Sequence, residues 1–373
     1  MATITAYETA AGRRYRVRYR KPDGSQTDKR GFRRKSDAEQ FLAAITVSKS
    51  RGEYIDPADS RITIGELGAD WISTQTHLKP STARSVESTW RVQVEPVWGG
   101  RGVAEVRHSE IQQWVDEVAQ THSSTTVKRA HGILSAIFQR AIRDRRISSN
   151  PAQSMNLPRR NPLQRVYLSG AQVRMLAEQA HPHGTLVSVL AYTGLRWGEA
   201  TALRVRDIDL ERRRLTVAVN AVNVGSTIVV GTPKTHRARS VPYPAFLSSA
   251  IAEQCSGKPE DQLVFGDGKT HLPRAHSEHG WFARAVTRCQ KLDPTFPRIT
   301  PHDLRHTTAS LAISAGANVK AIQRMLGHAS ATMTLDTYAD LFEDDLETVA
   351  TKLDQAARAD HVDRLGTNPQ KKF

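Results

Sequence analysis

From about Thr63 to Ala152 the apolar residues recur three and four positions apart: Leu67, Trp71 and Ile72; Val86, Trp90 and Val94; Ile111, Trp114, Val115 and Val118; Ile133, Leu134, Ile137, Phe138 and Ile142. That is the period of a helix face, not of a strand. The interruptions KPST, WGGRG and THSS divide the stretch into four amphipathic helices, which suggests a compact bundle. Its tryptophans are expected in the core. The last helix carries Lys128, Arg129, Arg140, Arg143, Arg145 and Arg146, the face expected to meet a phosphate backbone.

The flanking segments follow other patterns. Residues 14 to 20, RYRVRYR, alternate strictly, so Tyr15, Val17 and Tyr19 share one strand face and Arg14, Arg16, Arg18 and Arg20 the other. A turn at Pro22-Asp23-Gly24 follows, and Ser36 with Glu39 predicts a capping box for a helix through about Ser48. This reads as a small sheet carrying one helix. Its arginines are either a solvated outer face or a face seated on DNA. After the bundle, NLPRRNPLQR reads as a semi-extended basic linker. From Tyr167 the chain is mostly helical, with a capped start near Ser169 and a stop at Gly194. LTVAV, STIVV and SVPY predict a short sheet with a hairpin tip at Lys234. The expected organisation is multidomain and mainly α with small β-sheets: 1–60, a β-sheet plus helix; 63–152, a helical bundle; 153–166, a linker; 167–357, a mixed α+β domain; 358–373, a flexible tail.

The charge narrows the partner. Lys and Arg number 53 against 38 Asp and Glu, a net +15 that points to a polyanion. Nucleic acid is favoured over membrane, because no apolar run approaches the roughly 18 residues of a spanning helix. The opening MATITAYETA lacks the basic start and apolar centre of a signal peptide, so the protein is expected in the cytosol. Cys255 and Cys289 form no CxxC pair, which argues against a disulfide framework or a cysteine zinc site.

His302-x-x-Arg305 places an imidazole and a guanidinium where both could grip one anion. The spacing alone is cheap, since it recurs at His236/Arg239, His271/Arg274 and His361/Arg364. Its company distinguishes it: Arg196 just beyond the helix-ending glycine, Lys234, and downstream His328 and Tyr338. Two guanidiniums can bind the non-bridging oxygens of a phosphate, imidazoles and an ammonium can move protons, and a tyrosine hydroxyl can attack. The cluster supplies positive charge without a carboxylate cage, which argues against a two-metal nuclease.

The phrases TGLRWGEATAL, TPKTHRARSVP, TPHDLRHTTAS and LGHASATMTLDTY, in this order, resemble the tyrosine recombinase family of phage-type integrases. The bundle is similar to that family's core-site-binding domain, and the arginine-alternating sheet resembles the arm-site-binding domain of its bivalent members. The resemblance implies that Tyr338 attacks a phosphodiester to form a 3′-phosphotyrosyl link. It further implies that Arg196 and Arg305 clamp the phosphate, Lys234 protonates the leaving 5′-oxygen, His302 acts as base or proton shuttle, His328 hydrogen-bonds the phosphate and Glu199 orients the site. It implies no metal and no ATP. The implied partners are double-stranded DNA attachment sites, three further copies in a synaptic tetramer, and a host DNA-bending protein and directionality factor, in the nucleoid of a bacterial host. The element served is a phage or other mobile DNA that is integrated and excised. A second reading is a DNA-binding protein on the same scaffold without strand transfer; a third is a chromosome-dimer resolvase or type IB topoisomerase. Since ten residues of straight helix would hold His328 and Tyr338 roughly 15 Å apart, the chain is expected to bend within ASATMT. Delivery of Tyr338 to its own cluster or to a neighbour's stays open, as does exchange of the helix expected around Leu346, Val349 and Leu353.

Overall fold

A computed structural model describes residues 2–159, 165–232, 238–275 and 278–341, with 350–351, 353–355 and 357–358 in the tail. Lys234, Leu346 and Val349 lie outside the described residues. The chain divides into two compact units, residues 1–162 and 163–373.

In the first unit, β1 (Thr3–Tyr7), β2 (Arg14–Arg20) and β3 (Gln26–Phe32) form an antiparallel sheet in that order. The alternation in β2 is realised. Val17 and Tyr19 are buried against Ala38 of α1 (Lys35–Ser50), with Phe32, Phe41 and Ile45 around them, whereas Arg18 and Arg20 are exposed. The capping box expected of Ser36 and Glu39 does not form. The helix starts at Lys35 with Arg34 at its N-cap, so Ser36 already has a helical backbone and cannot cap. Glu39 pairs instead with Lys35 at 3.3 Å, one turn back.

The bundle comprises α2 (Ile64–Ser73), α3 (Pro80–Thr89), α4 (Glu95–Trp98), α5 (His108–Thr121) and α6 (Ser124–Arg143). Thr63 and Glu66 cap α2 reciprocally, and Ser123 caps α6. Between α3 and α4 runs a π-turn, Trp90–Val94, closed by the Glu95 N–H on the Trp90 carbonyl. It ends two residues before Pro96, which lacks an N–H and crowds the preceding turn. Trp90, Trp98 and Trp114 are core residues as expected, packed with Ile111, Leu134 and Phe138. Each fully buried Ile, Leu or Phe here contributes about 1.5–3 kcal/mol relative to exposure.

The second unit opens with α7 (Gly170–Gln179), held by a Ser169/Gln172 capping box, and α8 (Gly184–Thr193), followed by the short α9 (Trp197–Ala200). Five strands follow: β4 (Ile208–Asp209), β5 (Arg214–Val217), β6 (Asn220–Val224), β7 (Thr227–Gly231) and β8 (Arg239–Pro242). The single sheet expected from the sequence is in fact two. β6 and β7 form a hairpin, while β8 pairs with β5 in the order β4-β5-β8. The β6–β7 hairpin turns at Gly225, whose φ of 67° suits a tight turn, and β7 and β8 belong to different sheets, while the tip expected at Lys234 lies outside the described residues. Further helices are α10 (Ser248–Cys255), α11 (Gly280–Leu292), α12 (Asp303–Ser314), α13 (Val319–Leu326) and α14 (Ala331–Tyr338).

Helix α8 lies at the centre of the main core: Leu186, Val187 and Leu190 share it with Phe282 of α11, Leu304 of α12, and Leu215 and Val241 of the β4-β5-β8 sheet. Helix α12 also serves a second cluster, where Ala309 and Ile313 meet Ile322 and Leu326 of α13 and Tyr338 of α14. Arg305 sits between those two sets, so both cores fix its backbone.

Candidate active site

Gly194 ends α8 at φ 66°, and a Cβ there would lie 2.4 Å from Leu326 Cδ2, so this turn requires glycine. The next turn brings Arg196 to the start of α9. Its backbone N–H donates to Glu199 Oε2 at 2.9 Å and its guanidinium Nη1 to Oε1 at 2.8 Å. Glu199 is 1% exposed. Arg239, from β8, donates Nη1 to the same Oε1 at 3.0 Å and Nη2 to Oε2 at 2.6 Å. Burial pushes the Glu199 carboxyl up, but the bond and charge of Arg239, joined by the charge of Arg196, outweigh it and hold the group below its ordinary value. Glu199 is therefore ionised at neutral pH.

Arg305 is 4% exposed and donates Nη1 to the Gly194 carbonyl and Nη2 to the Leu326 carbonyl, both at 2.6 Å. Burial, reinforced by the charge of Arg196, lowers its guanidinium to about 9, which leaves it cationic at pH 7. Arg239 Nε donates to the Met325 carbonyl at 3.3 Å. Two guanidiniums thus brace the same two segments, 194–199 and 325–326. Arg196, Arg239, Arg324 and His328 line an open cavity of about 910 Å³ with no carboxylate among its lining residues. Arg196 also lines a smaller cavity, about 300 Å³, with Asn220, Asn223, Arg274 and His302.

The bend expected within ASATMT is present but lies earlier, over residues 327–330, and residues 331–334 are already helical. Helix α13 stops at Leu326, Gly327 adopts φ 65°, the His328 N–H donates to the Gln323 carbonyl at 3.1 Å, and Ser330 caps α14 by accepting from the Met333 N–H at 3.1 Å. The rings of His328 and Tyr338 consequently stack, 6.4 Å apart and 10° from parallel. His328 Nδ1 is hydrogen-bonded with Thr334 Oγ1 at 2.9 Å. Tyr338 is 1% exposed, and its hydroxyl is hydrogen-bonded with His306 Nδ1 at 3.0 Å. The His306 ring meets that of His302 edge-on, 5.0 Å away.

These environments set the protonation states. Burial, with Arg305 and Arg196 adding to it, lowers His328 to about 4; burial and the neighbouring His302 do the same to His306. His302 is lowered by desolvation and by Arg305. Burial pushes the Tyr338 hydroxyl up to about 12, against the opposing pull of the Arg305 charge. At neutral pH, His306 and His328 are neutral imidazoles and the tyrosine is a phenol.

Arg196, Glu199, His302, Arg305, His328 and Tyr338 are thus assembled within one unit, while Lys234 lies outside the described residues. Two members were not assigned from the sequence. Arg239 belongs to a His-x-x-Arg copy discounted as chance, and His306, four residues after His302, is the residue that touches the phenol where His302 was expected. Among the basic residues of the first unit, Arg18, Lys128 and Arg143 are exposed. Arg14 and Arg20 donate to the carbonyls of Arg13 and Gly24, each at 3.1 Å. Arg16 donates to Thr5 Oγ1 and Arg129 to Ser85 Oγ, both at 2.8 Å. Arg140 is committed inside the bundle, to Asp70 and, at 3.6 Å, to Asp144.

Known proteins resemble this chain in sequence and in fold. Residues 167–344 match the phage integrase family and residues 65–157 the phage integrase central domain. The integrase of Mycobacterium phage D29 is 28% identical over 326 residues, which covers 82% of this chain and 84% of its own. The transposase from transposon Tn916 of Enterococcus faecalis is 25% identical over 316 residues, 79% and 78% of the two chains. The Tn1549 transposon integrase, solved in complex with a circular intermediate DNA, superposes with a TM-score of 0.63 at 25% identity over 74% of this chain and 94% of that one. A lambda integrase tetramer bound to a Holliday junction shares the fold, with a TM-score of 0.60 at 17% identity over 88% and 96%. The chain belongs to the phage integrase family of tyrosine recombinases, enzymes that cleave and transfer DNA strands.

Proposed function

We propose that the chain is a site-specific integrase that cuts and rejoins double-stranded DNA through a 3′-phosphotyrosyl intermediate on Tyr338, to integrate and excise a phage or other mobile element. The observation that carries this reading is the cavity with Arg196, Arg239, Arg324 and His328 on its lining and no carboxylate, next to a tyrosine hydroxyl bonded to a neutral imidazole. Such a cavity suits a phosphodiester. Arg196 and Arg305 take its non-bridging oxygens and stabilise the added charge of the five-coordinate transition state. His306 Nδ1 takes the phenol proton as the tyrosine oxygen bonds to phosphorus and the bond to the 5′-oxygen breaks. His328, its Nδ1 accepting from Thr334, presents Nε2–H to the phosphate, and Lys234 returns a proton to the leaving 5′-oxygen. His302 supports His306 from behind. Attack by the 5′-hydroxyl of a partner duplex reverses the step.

A phenol that is 1% exposed cannot meet a DNA phosphate, so α14 has to shift when DNA is seated. Arg14, Arg16, Arg18 and Arg20 are assigned to arm DNA, and Lys128, Arg129 and Arg143 to the core site, with Arg140 holding the bundle together. Four copies acting on two duplexes complete the reaction, as in the tetrameric lambda relative. The test is incubation of the purified protein in EDTA with a nicked duplex spanning the end of the mobile element that carries its gene, followed by a denaturing gel. A covalent protein–DNA adduct is expected from the native chain and none from Tyr338→Phe. Specific DNA binding without any adduct would overturn the reading in favour of a DNA-binding protein on this scaffold.

A further inference from the structure

We propose that Arg239 is a positioning residue for the phosphate clamp: it holds both oxygens of Glu199 so that Arg196 is free to leave that carboxylate for the scissile phosphate. The inference rests on the reading above, in which Arg196 binds that phosphate. The geometry separates the two arginines. Arg196 meets Glu199 through one guanidinium bond, at 2.8 Å, and remains about a quarter exposed on two cavity walls. Arg239 meets it through two, at 3.0 and 2.6 Å, and its third edge is tied to the Met325 carbonyl. Every nitrogen of the Arg239 guanidinium already donates, although the residue lines the cavity.

The chain is shaped to admit that guanidinium. A Cβ at Gly327 would lie 3.0–3.2 Å from Arg239 Nε, Cζ and Cδ, so the glycine just before His328 leaves the space the guanidinium fills. Charge supplies the reason. A phosphodiester carries one negative charge, and its five-coordinate transition state carries a second. Arg196 and Arg305 match those two only if neither is spent on Glu199. Among the described residues, the charged groups facing Glu199 are Arg196 before α9, Arg239 on β8 and Arg305 on α12, with the neutral His328 beyond the guanidiniums. Without Arg239, the buried carboxylate has Arg196 as its one hydrogen-bonded cation, and the clamp is held closed on it.

The experiment measures the rate of adduct formation on the same nicked duplex between about pH 6 and 8, together with DNA affinity by gel shift. The variants are Arg239→Met, Arg239→Lys and Glu199→Gln/Arg239→Met. Arg239→Met is expected to lose about 100-fold in rate at pH 8, the scale of one transition-state donor, with DNA affinity changed less than about threefold. Its rate should rise as the pH falls, whereas the native rate stays level over this range, where Glu199 is ionised and His306 neutral; without Arg239, burial pushes the Glu199 carboxyl up, and its protonation releases Arg196. The double variant has no carboxylate to capture Arg196 and should be faster than Arg239→Met. It also leaves no unpaired buried charge, so it reports even if the single variant does not fold. Arg239→Lys, which keeps the charge but not the two-point hold, should fall between. A wild-type adduct accompanied by an unaltered pH profile in Arg239→Met, by a double variant no faster than the single one, or by full activity in Arg239→Lys overturns the inference alone. Failure of the native chain to form any adduct overturns the reading of the site and the inference with it.

Discussion

The arginines of β2 and those of the catalytic unit do opposite things with the same side chain. In β2 the sheet fixes the backbone and the guanidiniums lie at the surface: Arg18 and Arg20 are exposed, and Arg14 and Arg20 donate only to nearby carbonyls. In the second unit, Arg305 is buried and Arg239 partly buried, and both serve as struts, joining segments more than 100 and 80 residues apart in sequence. An exposed arginine contributes charge that salt screens, whereas a buried one also satisfies carbonyls and carboxylates that would otherwise be orphaned. Loss of a β2 arginine should therefore weaken DNA binding alone, and loss of a catalytic one should damage both the chemistry and the fold.

The largest effect that tests this contrast is expected at Arg305. Arg305→Ala removes the proposed phosphate ligand, and cleavage should fall by about 10³-fold or more, the scale of an arginine acting on a phosphoryl transition state. It also strands the carbonyls of Gly194 and Leu326, each at a cost of about 1–3 kcal/mol. Urea titration should show the destabilisation and the adduct assay the catalytic loss. Native stability with lost cleavage would mean that Arg305 is not a strut, and the contrast with β2 would narrow to charge alone.

His306 should come next. His306→Phe keeps the ring but removes the acceptor for the phenol proton, so cleavage at pH 7 should drop by about 100-fold, the lower range for a general base. The pH profile gives the sign. Burial holds the native imidazole at about 4, so it is neutral and able to accept above that value and loses this ability as the pH falls through it. The native rate should therefore have an acidic limb that the variant lacks. A variant as fast as the native protein would reduce His306 to a residue that packs the resting phenol.

What could be read from the sequence follows the same division. The β2 face, the helical period of the bundle and the stop at Gly194 are written in local period and local punctuation, each within one element. The motif residues were likewise visible because they sit in contiguous phrases. Arg239 was not, because its meaning depends on β8 pairing with β5 rather than with β7, a long-range choice that puts it over Glu199. His306 was missed for a related reason. On α12 it stands one residue after Arg305, on a face whose importance appears only once the bend at residues 327–330 returns Tyr338 to it. The Ser36/Glu39 box erred the other way: a valid local signal was displaced by one residue when Lys35 entered the helix.

The smallest effect is expected back in β2. Arg18→Ala/Arg20→Ala removes two exposed guanidiniums from the face opposite Val17 and Tyr19, so the packing under the sheet is untouched and unfolding should shift by no more than about 0.5 kcal/mol. Cleavage of a nicked core duplex should keep its native rate, since neither residue belongs to the catalytic cluster. Affinity for a duplex carrying arm DNA should fall, and the dependence of log K on log salt should flatten by about one for each phosphate that is no longer neutralised. That slope separates the two readings of the alternating face. A solvated surface with no partner leaves it unchanged, while a face seated on phosphates forfeits counterion release with every arginine removed. Equal weakening at arm and core sites would show that the sheet serves the whole complex rather than a second site, and would make the two arginine populations parts of a single DNA surface.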